Sequence, residues 1–484
     1  MRVVIIGAGM AGILAGIKLK EAGQDEFVIY EKADRVGGTW RENTYPGLTC
    51  DVPSHHYTYT FERNPDWTRH LPPGPEVLDY FERTTLKYGL YDDIRFGEEV
   101  DQAEFVAGRW RLKMKSGAQD EADVVIAATG VLHHPSFPPI QGMNDFGGDL
   151  FHSARWDHSI DLQNKRVGII GNGSTGVQII AALAEKVQHI THFQRTAQWI
   201  MPMPNGEFSE EQRALFRSDP AALEAVMDTP GYLANVESYT QVIIGGDSVG
   251  AMHWSEACLA NLENGVYDAE LKERLRPDHE PLCKRLIFSP DYYEAIQRPR
   301  AALVTGGIEG IEAGGIRTDD GQLHELDVIV FATGFRPNQF VRPMKVSGRN
   351  GVDLETLWSE RPKAYLAISM PEFPNFFMLN GPNGPVGNFS LIDIAEHQWH
   401  YVSQLMDKLR SGECQELCAR EDTLEAFEQQ RIKAAKKTIW FTGGCQSWYL
   451  DEQGIPSSWP WSYERFVREM SEPKWAGYEL RSTS

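Results

Sequence analysis

A chain of 484 residues has room for two or three domains, and its hydrophobic share of 42 % with 11 % aromatics excludes wholesale disorder, because that much apolar surface offsets the ordering entropy. A formal charge of -21 argues against nucleic-acid and anionic-membrane partners, which an acidic surface repels. Six scattered cysteines (Cys50, Cys258, Cys283, Cys414, Cys418, Cys445) do not resemble a disulfide framework or paired zinc ligands, so a reducing cytoplasm is the expected setting.

In chain order, Arg2 to Ile6 has the pattern of a short buried strand, Gly7 to Gly12 that of a turn, and Ile13 to Glu21 helical spacing, before a second strand at Phe27 to Tyr30. The apolar run from Val3 to Leu19 imitates a signal peptide, but Gly7, Gly9, Gly12 and Gly16 break it, and a βαβ unit explains it better. No other stretch approaches the length of a membrane span. In this unit Gly7, Gly9 and Gly12 permit a tight turn, close backbone approach to a pyrophosphate and close helix packing, while the helix N-terminus attracts the phosphate charge. Glu31, 24 residues after Gly7, ends the second strand, where a carboxylate accepts hydrogen bonds from ribose hydroxyls and repels a 2'-phosphate. The first site therefore suits FAD or NAD.

The arrangement recurs at Arg166 to Ile170, Gly171 to Gly176, Val177 to Glu185 and His189 to Phe193. Each unit also has a matching downstream strand and turn, Asp123 to Gly130 and Asp327 to Gly334, which place Thr129, Thr333 and Gly334 beside the nucleotides. In the second unit the glycines are Gly171, Gly173 and Gly176, and the position 24 residues after the first is Arg195, followed by Thr196. A guanidinium fork matches phosphate oxygens, so this site should hold the 2'-phosphate of NADP and disfavour NAD. Two sites of opposite preference imply electron transfer between cofactors.

From about Asn205 to Pro290 the parallel-strand pattern lapses into helical spacing, including Glu210 to Phe216 and Ala269 to Leu275, which predicts a helical insertion. The Pro-rich stretches His134 to Gln141 and Arg336 to Pro343 read as hinges, and a helix is expected near Ile392 to Leu409. The fold class is α/β, with two Rossmann-like dinucleotide-binding domains and the helical insertion in the second. The domains divide as 1–140 for the first part of the FAD-binding domain, 141–335 for the NADP-binding domain with its insertion at about 205–290, and 336–484 for the return to the first domain and the C-terminal segment.

Further motifs carry a family resemblance. Gly37-Gly38-Thr39-Trp40, Tyr45-Pro46-Gly47 and Asp51, together with Phe146-Gly147-Gly148, His152, Trp156 and Asp157, resemble the signatures of Baeyer-Villiger monooxygenases at every defined position. Related flavin monooxygenases and N-hydroxylases usually carry Tyr or Phe in place of Trp156, which favours the ketone-oxygenating branch. The resemblance runs through both nucleotide sites to Ser447-Trp448-Tyr449, nearly the whole chain. It implies an NADPH-dependent FAD enzyme that inserts one oxygen atom of O2 next to a ketone carbonyl through a flavin C4a-peroxide, giving an ester or lactone.

The resemblance also assigns residues. Lys284-Arg285 precedes Tyr292-Tyr293-Glu294; Arg285 is the catalytic candidate, because arginine stays charged when partly desolvated and stabilises a peroxyanion and then an oxyanion, with Asp51 orienting it. Lys284 joins Arg195 and Thr196 at the 2'-phosphate. Gly38, Thr39, Trp40, Asp51 and Tyr57 fall beside the flavin, Ser174, Thr175 and Gln178 near the NADP pyrophosphate, and Trp448 on a mobile loop over the nicotinamide. His152 and Trp156 hold the two domains in register. The His55-His56 and His133-His134 pairs lack the carboxylate-rich or i, i+4 setting of a metal site, and Cys414 and Cys418 lack a second pair, so no metal is expected. The partners are O2 and a small apolar ketone. Trp199 to Met203 and the loop Asn380 to Asn388 are candidate borders of its pocket.

Other functions remain open at this level. Oxygenation at sulfur or amine nitrogen would use the same scaffold. A pyridine-nucleotide disulfide reductase needs a close redox cysteine pair after the first unit, where only Cys50 stands. A flavin-containing redox sensor would consume NADPH slowly without an oxygenated product.

Overall fold

The computed structural model describes residues 1–227, 230–387 and 389–482. Its two parallel sheets are built from β1 (Val3–Ile6), β2 (Phe27–Glu31), β3 (Ile94–Phe96), β4 (Val124–Ala127), β5 (Asp149–His152), β6 (Arg166–Ile170), β7 (His189–Phe193), β8 (Ala301–Val304), β9 (Val328–Phe331) and β10 (Phe376–Met378). One sheet runs β10-β4-β1-β2-β3 and the other β8-β7-β6-β9-β5, five strands each. β1, with the sequence VVII, and β4, with VVIA, are buried along their whole length, as β-branched strands covered on both faces of a parallel sheet should be. Register follows residue by residue, with Val3 beside Phe27 on one side and Val124 on the other.

The repeat is structural as well as sequential. Helix α1 (Met10–Glu21) follows β1 and helix α2 (Ser174–Leu183) follows β6. Gly7 has φ +102°, and a Cβ there would stand 2.6 Å from the Ala128 carbonyl oxygen; Gly171 has φ +106°, and its Cβ would stand 2.4 Å from that of Ala332. Only glycine fits a turn so close to the strand behind it. Gly12 and Gly176 serve packing, because a Cβ on either would collide with the carbonyl oxygen of Gly7 or Gly171.

The chain crosses between the sheets at two places that lie side by side. Pro135 and Phe335 form an antiparallel bridge, Ser136 N–H donates to Gly334 O at 2.9 Å, and Thr333 Oγ1 donates to Ser136 O at 2.6 Å. These pairs lie within the first Pro-rich stretch and immediately before the second. After the second crossing, Lys345–Ser347 pairs in parallel with Val100–Val106 of an antiparallel sheet, and β10 then joins β4. Helix Leu391–Arg410 buries Ile392, Ile394, Val402 and Leu405 in the same core cluster as Leu14 and Ile17 of α1.

Between the sites, helices cover Glu210–Ser218, Pro220–Met227, Pro230–Ile243, Ser248–Gly265 and Ala269–Arg274. The first is closed by a capping box, Ser209 with Gln212, a device that satisfies the exposed N–H groups of the first turn. This region does not pack as one unit. Phe208, Phe216 and Leu223 belong to the core of the first sheet, whereas Val242 and Cys258 cluster with Met201, Leu282 and Leu286.

The cysteines form one bond that their spacing did not reveal. Cys283 and Cys445, 162 residues apart, form a disulfide, while Cys50, Cys258, Cys414 and Cys418 are free and buried. The pattern of spacings could not reveal this, because the chain folds back from the C-terminal side to bring Cys445 over Cys283. Among the described residues, no helix is long and apolar enough to cross a membrane.

Candidate active site

A continuous cavity of about 990 Å³ runs from the Gly7 turn to the Gly171 turn. Its wall includes Gly7, Gly9, Glu31, Thr129, Gly171, Gly173, Ser174, Thr175, Thr333 and Gly334, so the two repeated units face one space. Both α1 and α2 begin at a glycine that makes no side-chain cap. The N–H groups of each first turn are therefore left to an acceptor in the cavity, with the positive end of the helix dipole behind them.

At the first turn Glu31 is 4 % exposed and accepts from the N–H groups of Ala8 at 2.8 Å and Ala33 at 3.0 Å. Arg41 Nη1 lies 3.2 Å from the same carboxylate. The carboxylate is thus fixed beside the turn, where it faces hydroxyls and refuses phosphate. Gly38 is the N-cap of the short helix Thr39–Glu42, and its φ of +52° brings it within reach of Gly9. Trp40 Nε1 donates to the Tyr57 hydroxyl at 3.1 Å, with the rings edge to face at 5.5 Å. The geometry fits a flavin nucleotide stretched along α1, with Gly38, Thr39, Trp40 and Tyr57 at its inner end.

The second turn carries the opposite charge. Asn172 Nδ2 donates to Gln194 Oε1 at 3.1 Å and to Thr196 O at 2.6 Å, which ties the turn to the end of β7. Arg195 is exposed there. Lys284 is close enough to feel it: burial pushes the ammonium pKa down, Asp278 opposes this, and the positive charge of Arg195 lowers it further. Two cations holding each other at a disadvantage make a site for a doubly charged phosphate, which suits NADP. Gln178 does not stand free in the cavity. Its Oε1 accepts from the Tyr45 hydroxyl at 2.9 Å, and its Nε2 donates to Thr49 Oγ1 at 3.0 Å. Gly47 (φ +83°) lies so close above α2 that a Cβ would meet the Gln178 carbonyl oxygen at 2.5 Å. The Tyr45-Pro46-Gly47 motif is therefore the contact by which the first unit rests on the second.

Arg285 and Asp51 stand between the two turns. Arg285 Nε donates to Asp51 Oδ2 at 2.9 Å, its Nη2 binds the same oxygen, and its Nη1 donates to Gly387 O at 3.3 Å. The Arg285 side chain keeps 30 % of its exposure, toward the cavity that it lines. Burial is the largest single influence and opposes its charge, but Asp51, together with Tyr449 and Tyr239, raises the guanidinium pKa well above its ordinary value and keeps it protonated. One partner escaped the sequence reading. Tyr449 lies against Arg285, and its hydroxyl abuts Gly387. The Tyr449 ring stacks on Trp440 at 4.8 Å and lies tilted against Trp448 at 4.2 Å. The only sequence signal for it was its place beside Trp448.

Trp448 itself lines the cavity, as do Asn380, Val386 and Gly387; Asn388 lies outside the described residues. Trp199 to Met203 does not. Trp199 Nε1 donates to His279 O at 2.7 Å, and Ile200 and Met201 are buried, so this segment is core rather than pocket border.

His152 and Trp156 are not in the large cavity. His152 is 1 % exposed at the end of β5, its Nδ1 accepts from Ala154 N–H at 3.1 Å, and its ring contacts Phe137 at 5.2 Å and Phe335 at 6.0 Å, one residue from each crossing. Trp156 packs edge to face on Phe151 at 5.2 Å. Burial lowers the pKa of His152 to about 4, and likewise those of His55 and His192 to about 4 and of His133 to about 3. An unfolded histidine titrates near ~6.5, so the unfolded chain binds more protons below that pH and stability is lost as pH falls toward 4. Urea unfolding between pH 7 and 4 should show this loss, and His152→Leu should flatten it if the variant folds.

The sequence profile described as pyridine nucleotide-disulphide oxidoreductase matches residues 4–210. An uncharacterised monooxygenase of Mycobacterium tuberculosis is 44 % identical over 479 residues, covering 99 % of this chain and 96 % of its own. A Baeyer-Villiger monooxygenase of Streptomyces coelicolor is 35 % identical over 489 residues, covering 99 % of this chain and 92 % of its own. Among solved structures, cyclohexanone monooxygenase from Rhodococcus bound to NADP+ superposes with a TM-score of 0.88 at 28 % identity, covering 100 % of this chain and 99 % of the other.

Proposed function

The chain belongs to the Baeyer-Villiger monooxygenase family, and from that premise we propose that Arg285, oriented by Asp51, is the fixed charge at which a ketone is oxygenated. The enzyme is a flavoprotein monooxygenase that uses FAD and NADPH to insert one oxygen atom next to a ketone carbonyl, giving an ester or lactone. When bound, FAD supplies the activation of O2 and NADPH supplies the electrons. What the chain itself contributes is charge, orientation and separation of the two nucleotides.

The observation that carries the reading is the Asp51–Arg285 pair in the wall between the two glycine turns. Asp51 takes Nε and Nη2, which leaves Nη1, donating to Gly387 O at 3.3 Å, as the part of the fork that the carboxylate does not hold. Because arginine does not release its proton under these conditions, it acts as an electrostatic stabiliser and not as a general acid. It draws negative charge toward itself first on the attacking oxygen and then on the former carbonyl oxygen. Glu31, Gly38, Thr39, Trp40, Tyr57 and Thr129 hold FAD; Ser174, Thr175, Gln178, Arg195, Thr196, Lys284, Thr333, Gly334 and Trp448 hold NADPH. His152 and Trp156 keep residues 141–335 in register with the rest of the chain. The substrate is a small, largely apolar ketone, and the enzyme works in the cytoplasm.

Incubating the purified yellow protein with NADPH, 18O2 and a panel of cyclic and aryl ketones, followed by mass spectrometry, should give esters carrying one heavy oxygen atom. Sulfoxides or N-oxides alone, from a parallel thioether and amine panel, would replace the ketone reading. NADPH consumption with hydrogen peroxide as the sole product would point to a sensor.

A further inference from the structure

The two strands of chain that supply the active-site cations and the C-terminal tryptophan are joined by the disulfide described above. Cys283 immediately precedes Lys284 and Arg285; Cys445 precedes Gln446, Ser447 and Trp448, and all five of these neighbours line the large cavity. Apart from the disulfide, the two segments meet through a long hydrogen bond, Glu280 N–H to Gly443 O at 3.4 Å, and through the contact of Tyr449 with Arg285. On its far side the C-terminal segment is anchored: Asp451 lies 2.9 Å from Arg361 and accepts from the N–H of Ile455 at 2.9 Å. The stretch from Gly443 to Trp448 is thus a strap, fixed beyond Tyr449 and pinned over the cavity at Cys445.

We propose that Cys283 and Cys445 are a redox-controlled positioning pair: joined, they hold Trp448 over the same cavity as Lys284 and Arg285 and tighten NADP(H) binding; reduced, they free the strap and weaken it. The inference rests on the NADP assignment above.

The two sulfurs are unequally placed. Cys283 is fully buried, whereas Cys445 is half-buried. An incoming thiolate therefore reaches the Cys445 sulfur, forms a mixed disulfide there, and expels the Cys283 thiolate. A second thiol of the reductant then displaces Cys445, so one dithiol is oxidised for each protein disulfide reduced. In the reverse direction hydrogen peroxide is the oxidant. The Cys445 thiolate attacks one peroxide oxygen, the O–O bond breaks, and hydroxide leaves a sulfenic acid on Cys445. The Cys283 thiolate attacks that sulfur and releases a second hydroxide, which completes the S–S bond. Two thiols and one peroxide give one disulfide and two waters; the sulfurs lose the two electrons that the O–O bond gains.

In a reducing compartment the resting state is the dithiol, and exposure to peroxide closes the strap. The state of the enzyme then follows the oxidant load around it, without change at any residue that touches substrate.

The test uses the FAD-loaded enzyme in two forms, one treated with dithiothreitol and one with a stoichiometric pulse of hydrogen peroxide. Alkylation and peptide mass spectrometry should find a Cys283–Cys445 cross-linked peptide only after peroxide. Calorimetric titration with NADP+ should give a dissociation constant at least about fivefold higher in the reduced form, the lower end of ordinary coupling between two linked equilibria. Cys445→Ser, and independently Cys445→Ala, should bind NADP+ like the reduced protein under both treatments. Thiols that remain unlinked after peroxide, or equal dissociation constants for the two forms, would overturn the proposal. If neither form converts any ketone while the cross-link and the fivefold response persist, the positioning pair stands and the oxygenation reading falls.

Discussion

Arg285→Ala should retain bound FAD, visible as an unchanged flavin spectrum, while ester formation falls by about two to three orders of magnitude, the loss seen when one preorganised stabiliser of a developing oxyanion is removed. NADPH consumption should continue, with oxygen diverted to hydrogen peroxide, because the nucleotide-binding turns lie outside the deleted contact. The geometry explains why the effect should exceed that of a surface charge. Arg285 is held by three hydrogen bonds, two to Asp51 and one to Gly387 O, so its charge stays in place during the reaction. Arg285→Lys separates charge from shape. A lysine keeps the charge but cannot occupy both the Asp51 carboxylate and the cavity with one planar fork, so it should recover only part of the loss. Asp51→Asn provides a second check from the other partner. It keeps the volume but removes the carboxylate charge that helps to offset burial at Arg285, and it should lower turnover more than it raises the Michaelis constant for NADPH. Ester formed at the wild-type rate by Arg285→Ala would remove Arg285 from the mechanism.

Arg195→Ala should raise the Michaelis constant for NADPH by about ten- to a hundredfold, corresponding to about 1.5–3 kcal/mol for a hydrogen bond to a charged group, and leave that for NADH almost unchanged. The comparison with NADH isolates the 2'-phosphate, since the two nucleotides differ there alone. Lys284 gives the prediction a pH signature. Burial, with the nearby Arg195 charge, lowers its pKa, so in the wild type the site loses a cation as pH rises through that lowered pKa, and NADPH binding weakens on the alkaline side. In Arg195→Ala the repulsion is gone, the Lys284 pKa rises, and the alkaline weakening should move to higher pH. Equal discrimination between NADPH and NADH in the variant and the wild type would show that the phosphate sits elsewhere.

Much of this protein was legible as sequence because its chemistry is local. A glycine turn between a strand and a helix is specified within a dozen residues, and the acid or base that selects the nucleotide lies at a fixed distance along the same βαβ unit. Glu31 and Arg195 were therefore assigned from spacing and charge, and the structure puts both in the cavity wall. The helices at Glu210–Ser218 and Leu391–Arg410 likewise follow from periodicity. Arg285 was less accessible. Lys284-Arg285 alone reads as a basic surface pair, and its importance came from resemblance to a family.

What the chain's order could not specify are the contacts between segments far apart along it. Asp51 and Arg285 are separated by 234 positions, and Cys283 and Cys445 by 162. No periodicity links such positions, because the force that brings them together is burial of whole surfaces, which is indifferent to sequence distance. The same reason explains the misplaced pocket border at Trp199 to Met203. Its composition suits an apolar pocket and a core equally well, and only the packing of Met201 with Leu282 and Leu286 decides for core. Residue type and spacing thus determined the two nucleotide sites and their charge preference. The Asp51–Arg285 pair was legible only through resemblance to a family and is brought together by tertiary packing, which alone decided which two cysteines can touch.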